Sequence, residues 1–244
     1  MSVTSAVSST VRSAVILAGG LGTRLRSAVP DLPKPMAPIA GRPFLEYLLD
    51  YWIGQGVQHF VLSIGYRHEV ITGHFGARYR DARIDYVIET EPLGTGGGLL
   101  LATEKIAGDL PFLLLNGDTY FAVELDVLSE FAKEKDADWC FSLFRTSEVG
   151  RYMGMDLGDQ NQIVSLKSGS GLPGRLANGG VYLIHPRALV GGKFSPGDRV
   201  SLEDGILPAA MTSSQRLFGA EFNGSFIDIG VPDDYHRAHT VFAT

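Results

Sequence analysis

Residues 14–25 read Ala-Val-Ile-Leu-Ala-Gly-Gly-Leu-Gly-Thr-Arg-Leu and are the most informative segment of the sequence. Its first five residues form an apolar run that is short enough for a buried strand. The glycines that follow leave backbone N–H groups uncovered, which suits the binding of a phosphate group. Arg24 then offers a planar set of donors for phosphate oxygens, and Lys34 offers a compact positive charge. The stretch therefore predicts a strand that ends in a phosphate-binding loop.

Two better-known phosphate loops do not fit these residues. A dinucleotide-binding motif that began at Gly20 would need a small residue where Leu25 stands, because the helix must pack closely on the strand. The Walker-type loop needs Lys and then Ser or Thr directly after its last glycine, but Thr23 and Arg24 follow Gly22. Taken alone, the segment could also be a glycine-rich turn with a surface arginine.

The alternation of strand, loop and helix continues outward from this loop. Further apolar runs of strand length lie at 60–64, 84–88, 112–115 and 139–144. Amphipathic stretches of helical length lie between them, at 44–53, 68–75, 98–105 and 125–135. This order predicts βαβ units in a mostly parallel sheet that is covered by helices on both faces. The glycine segments at 19–22 and 94–98 follow strands, at the carboxyl ends where open α/β sheets bind ligands.

The pattern is less regular beyond residue 150. We expect strands at 152–157, 163–167 and 181–184, with a Gly/Ser loop at 168–174. Ser201, with Asp204 three residues later, predicts a capping box that opens a helix to about residue 211. Pro232 predicts the start of a final helix. No shift in composition marks a second domain, so we expect a flexible leader at 1–12 and one domain at 13–244.

Composition limits the function classes. The chain has 244 residues, 45% of them hydrophobic, and a net charge of −6 from 21 basic and 27 acidic residues. It contains no Lys/Arg run of the kind that binds a nucleic-acid backbone and no apolar stretch long enough to cross a membrane. Cys140 is the only cysteine, and it lies in an apolar run, so we expect a buried thiol, no intrachain disulfide and a cytoplasmic location.

Five motifs, in order, resemble the sugar-1-phosphate nucleotidyltransferase family. They are the glycine loop with Pro-Lys-Pro at 33–35, Glu-Pro-Leu-Gly-Thr-Gly-Gly at 91–97, Asn-Gly-Asp at 116–118, Asn-Gly-Gly-Val-Tyr at 178–182 and Asp-Ile-Gly-x-Pro at 228–232. The resemblance covers nearly the whole chain. It implies a Rossmann-like three-layer αβα nucleotidyltransferase fold with a mixed, mostly parallel sheet, as a single domain with a sugar-binding lobe. The nucleotide half would span about 13–120, and the sugar-binding half about 121–244.

The resemblance also implies the chemistry, which is transfer of a nucleotidyl group from a nucleoside triphosphate to a sugar 1-phosphate. A sugar phosphate is already ionised at neutral pH, so no general base is needed and the work is the positioning of two anions. Arg24 would hold the β- and γ-phosphates, and Lys34 would bridge the α-phosphate and the sugar phosphate. The resemblance implies that the loop contacts the nucleotide through Leu17, Gly19, Gly20, Gly22 and Thr23.

Two aspartates are candidates for a metal site. Asp118 ends the apolar run at 112–115 after a short Asn-Gly step, and Asp228 follows Phe226 and Ile227. Carboxylates and phosphate oxygens are the ligands that Mg²⁺ prefers, and the resemblance assigns this pair the same role. Each aspartate alone could equally be a helix cap or a turn residue.

The base and the sugar would be bound by segments further along. In the family, the residue two places before Glu-Pro-Leu reaches the base; here it is Glu89, whose carboxylate can accept from guanine N1–H and its amino group, whereas uracil offers a repelling carbonyl. Gly94 and Thr95 are the other residues expected to bind the base. The alternative that Glu89 lies at a strand edge and faces solvent stays open. The expected sugar contacts are Asn116, Asn178, Gly179 and Glu203. Glu203 could instead only stabilise the first turn of its helix.

One segment departs from the family pattern. Many relatives have Glu-Lys-Pro after the strand near residue 166, with the lysine on the sugar phosphate, whereas this chain has Lys-Ser-Gly-Ser-Gly at 167–171. Lys167 could replace that lysine in a shifted register, or the contact could be absent.

The motifs most resemble the branch of the family that transfers GMP from GTP to a heptose 1-phosphate. Mannose 1-phosphate guanylyltransferase, N-acetylmuramate 1-phosphate uridylyltransferase and an inactive regulatory subunit stay open as alternatives. The expected partners are therefore GTP and a sugar 1-phosphate with Mg²⁺, without nucleic acid or membrane, and a homodimer is left open.

Overall fold

A computed structural model describes residues 10–167 and 172–242 of the chain. Most of the expected leader and the start of the Gly/Ser loop, residues 1–9 and 168–171, lie outside the described residues. Among the described helices, none is long and apolar enough to cross a membrane.

The strands form one large sheet and two short ladders. In chain order they are β1 (Ser13–Ala18), β2 (Pro38–Ile39), β3 (Arg42–Pro43), β4 (His59–Ile64), β5 (Arg78–Tyr79), β6 (Ala82–Ile88), β7 (Phe112–Asn116), β8 (Thr119–Phe121), β9 (Trp139–Arg145), β10 (Gly154–Leu157), β11 (Ile163–Lys167), β12 (Leu176–Ile184), β13 (Leu217–Glu221) and β14 (Phe226–Asp228). The order in the large sheet is β11-β10-β12-β7-β1-β4-β6-β5, and β9 lies between β12 and β13. The remaining strands pair as β2 with β3 and β8 with β14.

The centre of the large sheet is parallel and its flanks are mixed. Strands β7, β1, β4 and β6 run parallel, so their carboxyl ends lie along one edge of the sheet. Strand β12 runs antiparallel to β7 and carries the sheet into the second half of the chain. The mixed, mostly parallel α/β sheet that the sequence predicts is confirmed.

Helices cover both faces of this sheet. They are α1 (Phe44–Gly54), α2 (His68–Phe75), α3 (Gly94–Thr103), α4 (Leu125–Glu134), α5 (Leu207–Met211) and α6 (Pro232–Val241). Side chains of β1 alternate between the faces: Ile16 packs with apolar residues of α1, α2 and α4, and Val15 packs with those of α3 and α5. Because successive strand residues point to opposite faces, β1 is buried on both sides and reads as a continuous apolar run.

A third apolar cluster holds together the segments that surround the cavity described below. It joins Leu25 after the glycine loop, Ile39 of β2, Ile227 and Ile229 around β14, and Tyr235 of α6. The Tyr235 hydroxyl donates to the Pro38 carbonyl at 2.7 Å. The cluster therefore fixes the loop after β1 against a segment from the far end of the chain.

The structure corrects several boundaries. The helix expected at 98–105 begins at Gly94, and the strand expected at 181–184 begins at Leu176. Ser201 caps its helix as predicted, accepting from the Asp204 N–H at 3.0 Å, but the first turn, Leu202–Ile206, is a π-helix. The strand expected at 152–157 begins at Gly154. Strand β13 was not predicted; its sequence, Leu-Phe-Gly-Ala-Glu, has a central glycine that weakens strand propensity.

Candidate active site

A cavity of about 520 Å³ opens at the carboxyl ends of the central strands. Most residues predicted to bind nucleotide, metal or sugar line it: Leu17, Gly19, Gly20, Arg24, Lys34, Glu89, Gly94, Thr95, Asn116, Asp118, Asn178, Gly179, Glu203 and Asp228. Three predicted residues, Gly22, Thr23 and Lys167, are outside this lining. The structure thus brings together segments that lie more than a hundred residues apart in the chain.

The glycine loop presents Arg24 to the cavity. Gly22 adopts a left-handed conformation with φ of 64°, which any other residue would adopt only with strain, and it opens a short 3₁₀ turn over Thr23–Leu25. Leu25 is buried and anchors the turn in the third apolar cluster. Within residues 10–167 and 172–242, Arg24 makes no hydrogen bond or ion pair, so its guanidinium is available to a ligand.

Lys34 lies next to the glycine loop and reaches one aspartate. It begins the 3₁₀ turn Lys34–Met36, and a Cβ at Gly22 would stand 3.0 Å from its Cγ. Its Nζ donates to Asp118 Oδ2 at 2.9 Å, and only 14% of the lysine side chain is exposed. A nearly buried ammonium therefore lies between the loop and the aspartates.

Asp118 and Asp228 come together through the β8–β14 ladder. Thr119, the residue after Asp118, pairs with Asp228 in this ladder, and the Ile229 N–H donates to the Asp118 carbonyl at 2.9 Å. Burial and the neighbouring Asp118 charge raise the pKa of Asp228 above its ordinary value. The Gly230 N–H, which donates to Asp228 Oδ1 at 2.7 Å, and Arg151 offset only part of this.

This pair suits Mg²⁺ better than a metal with a full set of protein ligands. Mutual repulsion of two neighbouring carboxylates is relieved by a divalent cation, and Mg²⁺ is commonly held by one or two carboxylates together with substrate phosphates. Among the described residues, no group of three or more His, Cys, Asp or Glu side chains converges on one point. Asp118 and Asp228 therefore fit a cation that shares its ligands with a phosphate chain.

Glu89 lies directly after β6 and is held from two sides. Its Oε1 accepts from the Ser63 hydroxyl at 2.8 Å, and its Oε2 accepts from the Leu93 N–H at 3.0 Å. The carboxylate also lines the cavity, so it is not a strand-edge group that simply faces solvent.

The start of α3 is fastened to the segment before α5. The Thr95 hydroxyl accepts from the Leu202 N–H at 2.8 Å and donates to Glu203 at 2.9 Å. Gly94 has φ of 78°, and a Cβ there would stand 2.7 Å from the Val200 carbonyl oxygen. The small size of Gly94 is thus required by the protein's own chain, whereas the resemblance had linked it to the base.

The predicted sugar residues are largely engaged with the protein. Asn178 donates to the Tyr182 hydroxyl at 2.6 Å and accepts from the Gly180 N–H at 3.1 Å. Glu203 also accepts from Ser201, at 3.2 Å. Lys167 ends β11, opposite Gly154, on the outer strand of the sheet and beyond the cavity lining.

Sequence reasoning missed a set of lining residues on and near β10 and β14: Arg151, Tyr152, Met153 and Phe226. The Arg151 guanidinium donates to Asp228 Oδ2 at 3.2 Å and to Glu148 at 3.0 Å, and it also contacts Asp234. Phe226 could have been found, because it is two residues before Asp228 and alternate strand residues share a face. No local pattern marks Arg151.

Comparisons with known proteins agree with this geometry. Residues 13–244 match the family model of nucleotidyl transferase. The chain therefore belongs to the nucleotidyl transferase family and is a nucleotidyltransferase.

Individual relatives narrow the class. The D-glycero-alpha-D-manno-heptose 1-phosphate guanylyltransferase of Aneurinibacillus thermoaerophilus is 40% identical over 92% of this chain and 96% of its own length. The enzyme of the same name from Campylobacter jejuni is 35% identical over 92% and 97%. The crystal structure of HddC from Yersinia pseudotuberculosis complexed with GMP-PN has a TM-score of 0.80 and 33% identity, over 95% of this chain and 99% of that one.

Proposed function

We propose that this chain transfers GMP from GTP to the phosphate of D-glycero-D-manno-heptose 1-phosphate and releases pyrophosphate. The observation that carries the proposal is identity of 40% and 35%, over nearly the full length of both partners, to two enzymes named for this reaction. The cavity supports it, because Arg24, Lys34, Asp118 and Asp228 converge there.

The reaction needs no proton abstraction. An oxygen of the sugar phosphate, already anionic, attacks the α-phosphorus of GTP and forms the new P–O bond. The bond from the α-phosphorus to the bridging oxygen breaks, and pyrophosphate leaves with the electron pair. The protein's task is to hold two anions in line and to stabilise the charge that develops on the leaving group.

The cations have separate places in this scheme. Arg24, on the exposed turn after the glycine loop, is assigned to the β- and γ-phosphates. Lys34, beside the loop and 2.9 Å from Asp118, is assigned to the α-phosphate and the incoming sugar phosphate. Asp118 and Asp228 would hold Mg²⁺, which supplies positive charge against the triphosphate oxygens when it is bound.

Glu89 is assigned to the guanine base. A carboxylate accepts hydrogen bonds from both N1–H and the 2-amino group of guanine, and it repels the carbonyl oxygens of uracil or thymine. The sugar would occupy the part of the cavity near Asn116, Asn178 and Gly179. Arg151 and Tyr152 also line the cavity and give it polar groups that the family motifs did not include.

A pyrophosphate-release assay tests the proposal. GTP, UTP, dTTP, CTP and ATP are each combined with the 1-phosphates of heptose, mannose, glucose and N-acetylmuramic acid, in the presence of Mg²⁺. We expect the highest kcat/KM for GTP with the heptose 1-phosphate. A higher value for GTP with mannose 1-phosphate, or for UTP with N-acetylmuramate 1-phosphate, would replace the proposal by that activity. No release with any pair would indicate an inactive relative.

A further inference from the structure

Ser63 is a fully buried polar residue that no motif includes. It lies on β4, between Leu17 of β1 and Val87 of β6 in the parallel part of the sheet. Its side chain is 0% exposed, and its hydroxyl donates to Glu89 Oε1 at 2.8 Å. A buried hydroxyl is stable only where it has a hydrogen-bond partner, so Ser63 and Glu89 depend on each other.

The contact between Ser63 and Glu89 lies in a tight space bordered by glycine backbone. A Cβ at Gly98 of α3 would stand 2.8 Å from the Ser63 hydroxyl oxygen and 3.0 Å from Glu89 Oε1. A Cβ at Gly19 would stand 2.3 Å from the same carboxylate oxygen. Two glycines from different elements therefore border a space that the Glu89 carboxylate fills.

Both oxygens of Glu89 are met by donors on the protein side. The Leu93 N–H is a fixed donor at 3.0 Å from Oε2, and Ser63 donates to Oε1. A carboxylate has about four lone-pair directions, so the remaining ones are left for a ligand. Because Glu89 lines the cavity, those directions offer a ligand two neighbouring acceptors in a fixed orientation.

We propose that Ser63 is a positioning residue for nucleotide selection: with the Leu93 N–H, it fixes the Glu89 carboxylate so that the site selects a purine with two adjacent donors. Guanine has this edge, N1–H beside the 2-amino group. Hypoxanthine keeps N1–H and lacks the amino group, and adenine has an acceptor at N1. The inference rests on the proposed function, because it assumes that Glu89 faces the base of the triphosphate.

The test compares the binding of GTP and ITP, whose base is hypoxanthine. Binding is measured by calorimetry with Mg²⁺ and without sugar phosphate, so the result does not depend on which sugar the enzyme uses. One lost hydrogen bond to a charged group corresponds to a preference for GTP of about tenfold to a hundredfold in the unmodified protein. We expect Ser63→Ala to reduce this preference about fivefold or more, because the released carboxylate can turn toward the single donor of hypoxanthine.

A matched control separates positioning from general destabilisation. Ser142 is also 0% exposed on a sheet strand, and its hydroxyl donates to the Val181 carbonyl at 2.8 Å. Ser142→Ala should lower stability to a similar extent and leave the GTP-to-ITP ratio unchanged. If Ser63→Ala does not fold, Ser63→Cys keeps a side-chain donor at this position, although a weaker one, and should give an intermediate ratio.

The outcomes distinguish this inference from the proposed function. An unchanged ratio in the folded Ser63 variants would overturn the positioning role and leave the guanylyltransferase proposal standing. Equal binding of GTP and ITP by the unmodified protein would overturn the reading of the 2-amino group. Failure of GTP to bind at all would instead contradict the proposed function itself.

Discussion

The two halves of the cavity differ in how their polar groups are engaged. In the nucleotide half, Arg24 has no hydrogen bond or ion pair within the described part of the chain, and Glu89 is fixed with acceptor directions left over. In the proposed sugar half, Asn178 donates to Tyr182, and Glu203 accepts from Thr95 and Ser201. The proposed nucleotide half therefore presents the Arg24 guanidinium and the fixed Glu89 carboxylate to a ligand, whereas Asn178 and Glu203 of the proposed sugar half are bonded to other protein groups.

We expect the largest change for Arg151→Met, which replaces a cavity residue that the sequence motifs did not include. Arg151 is 16% exposed and pairs with Glu148, Asp228 and Asp234. Its removal leaves the largely buried Asp228 without this cation and Asp234 with only the exposed Arg237, so we expect the free energy of unfolding to fall by about 3 kcal/mol. Urea denaturation measures this change.

Arg145→Met is the matched control for that variant. Arg145 pairs with Glu221 at 2.8 Å, but 57% of its side chain is exposed, so the pair is worth about 0–1 kcal/mol. An equal fall in the free energy of unfolding in the two variants would show that the ion pairs of Arg151 stabilise the fold no more than an exposed pair does.

The next largest effect is expected in the nucleotide half, for Lys34→Ala and Asp118→Asn. Each variant removes a preorganised charge at the proposed reaction centre, which typically costs about 3 kcal/mol of transition-state stabilisation. We expect turnover to fall at least a hundredfold, as about 1.4 kcal/mol corresponds to tenfold. The pyrophosphate assay measures turnover, and circular dichroism confirms that the fold survives.

Lys135→Ala serves as the control for the lysine. Lys135 is similarly buried, with 16% of its side chain exposed, and pairs with Glu134 outside the cavity lining. It should leave turnover near that of the unmodified protein. Near-normal turnover in both Lys34→Ala and Asp118→Asn would refute their placement at the reaction centre.

The difference between the halves also explains what the sequence could predict. The glycine loop and Asp118 each come shortly after an apolar run of strand length. Their position at a strand end and their suitability for a ligand can therefore be predicted from adjacent residues. The convergence of Asp118 with Asp228 required the family order of motifs, because the β8–β14 ladder that joins them has only three residues per strand. Arg151 could not be predicted because two of its partners, Asp228 and Asp234, lie more than seventy residues away in the sequence, and its pair with nearby Glu148 does not by itself indicate a site.

The start of α3 shows tertiary contacts overriding local preference. Glycine is unfavourable in helices, and the helix that the sequence predicts begins only at residue 98. In the structure, the N–H groups of Gly96 and Gly97 both donate to the Val200 carbonyl at 3.0 Å, and the segment is helical from Gly94. A side chain at Gly96 would collide with the segment around Val200, so the glycines of α3 allow this segment to pack against the helix.

The smallest expected effect concerns pH and compares a cavity carboxylate with a structural one. Burial and the charge of Asp118 raise the pKa of Asp228. Burial alone would also raise the pKa of Asp138, but the Arg187 guanidinium and the Arg216 backbone N–H lower it below its ordinary value. Ionised Asp228 therefore destabilises the metal-free fold, and ionised Asp138 stabilises it.

The signs of the two pH effects are opposite. For Asp228, the favourable contribution is present below its unfolded pKa and is lost as pH rises through its raised folded pKa; for Asp138, it is present above the unfolded pKa and is lost as pH falls through the lowered one. In urea titrations with EDTA between about pH 3 and pH 7, Asp228→Asn should gain stability relative to the unmodified protein as pH rises, and Asp138→Asn should lose it. The same direction for both variants would contradict the view that the cavity keeps an unfavourable charge for its ligand. Opposite directions would locate, in one measurement, a carboxylate retained for binding and another retained for folding.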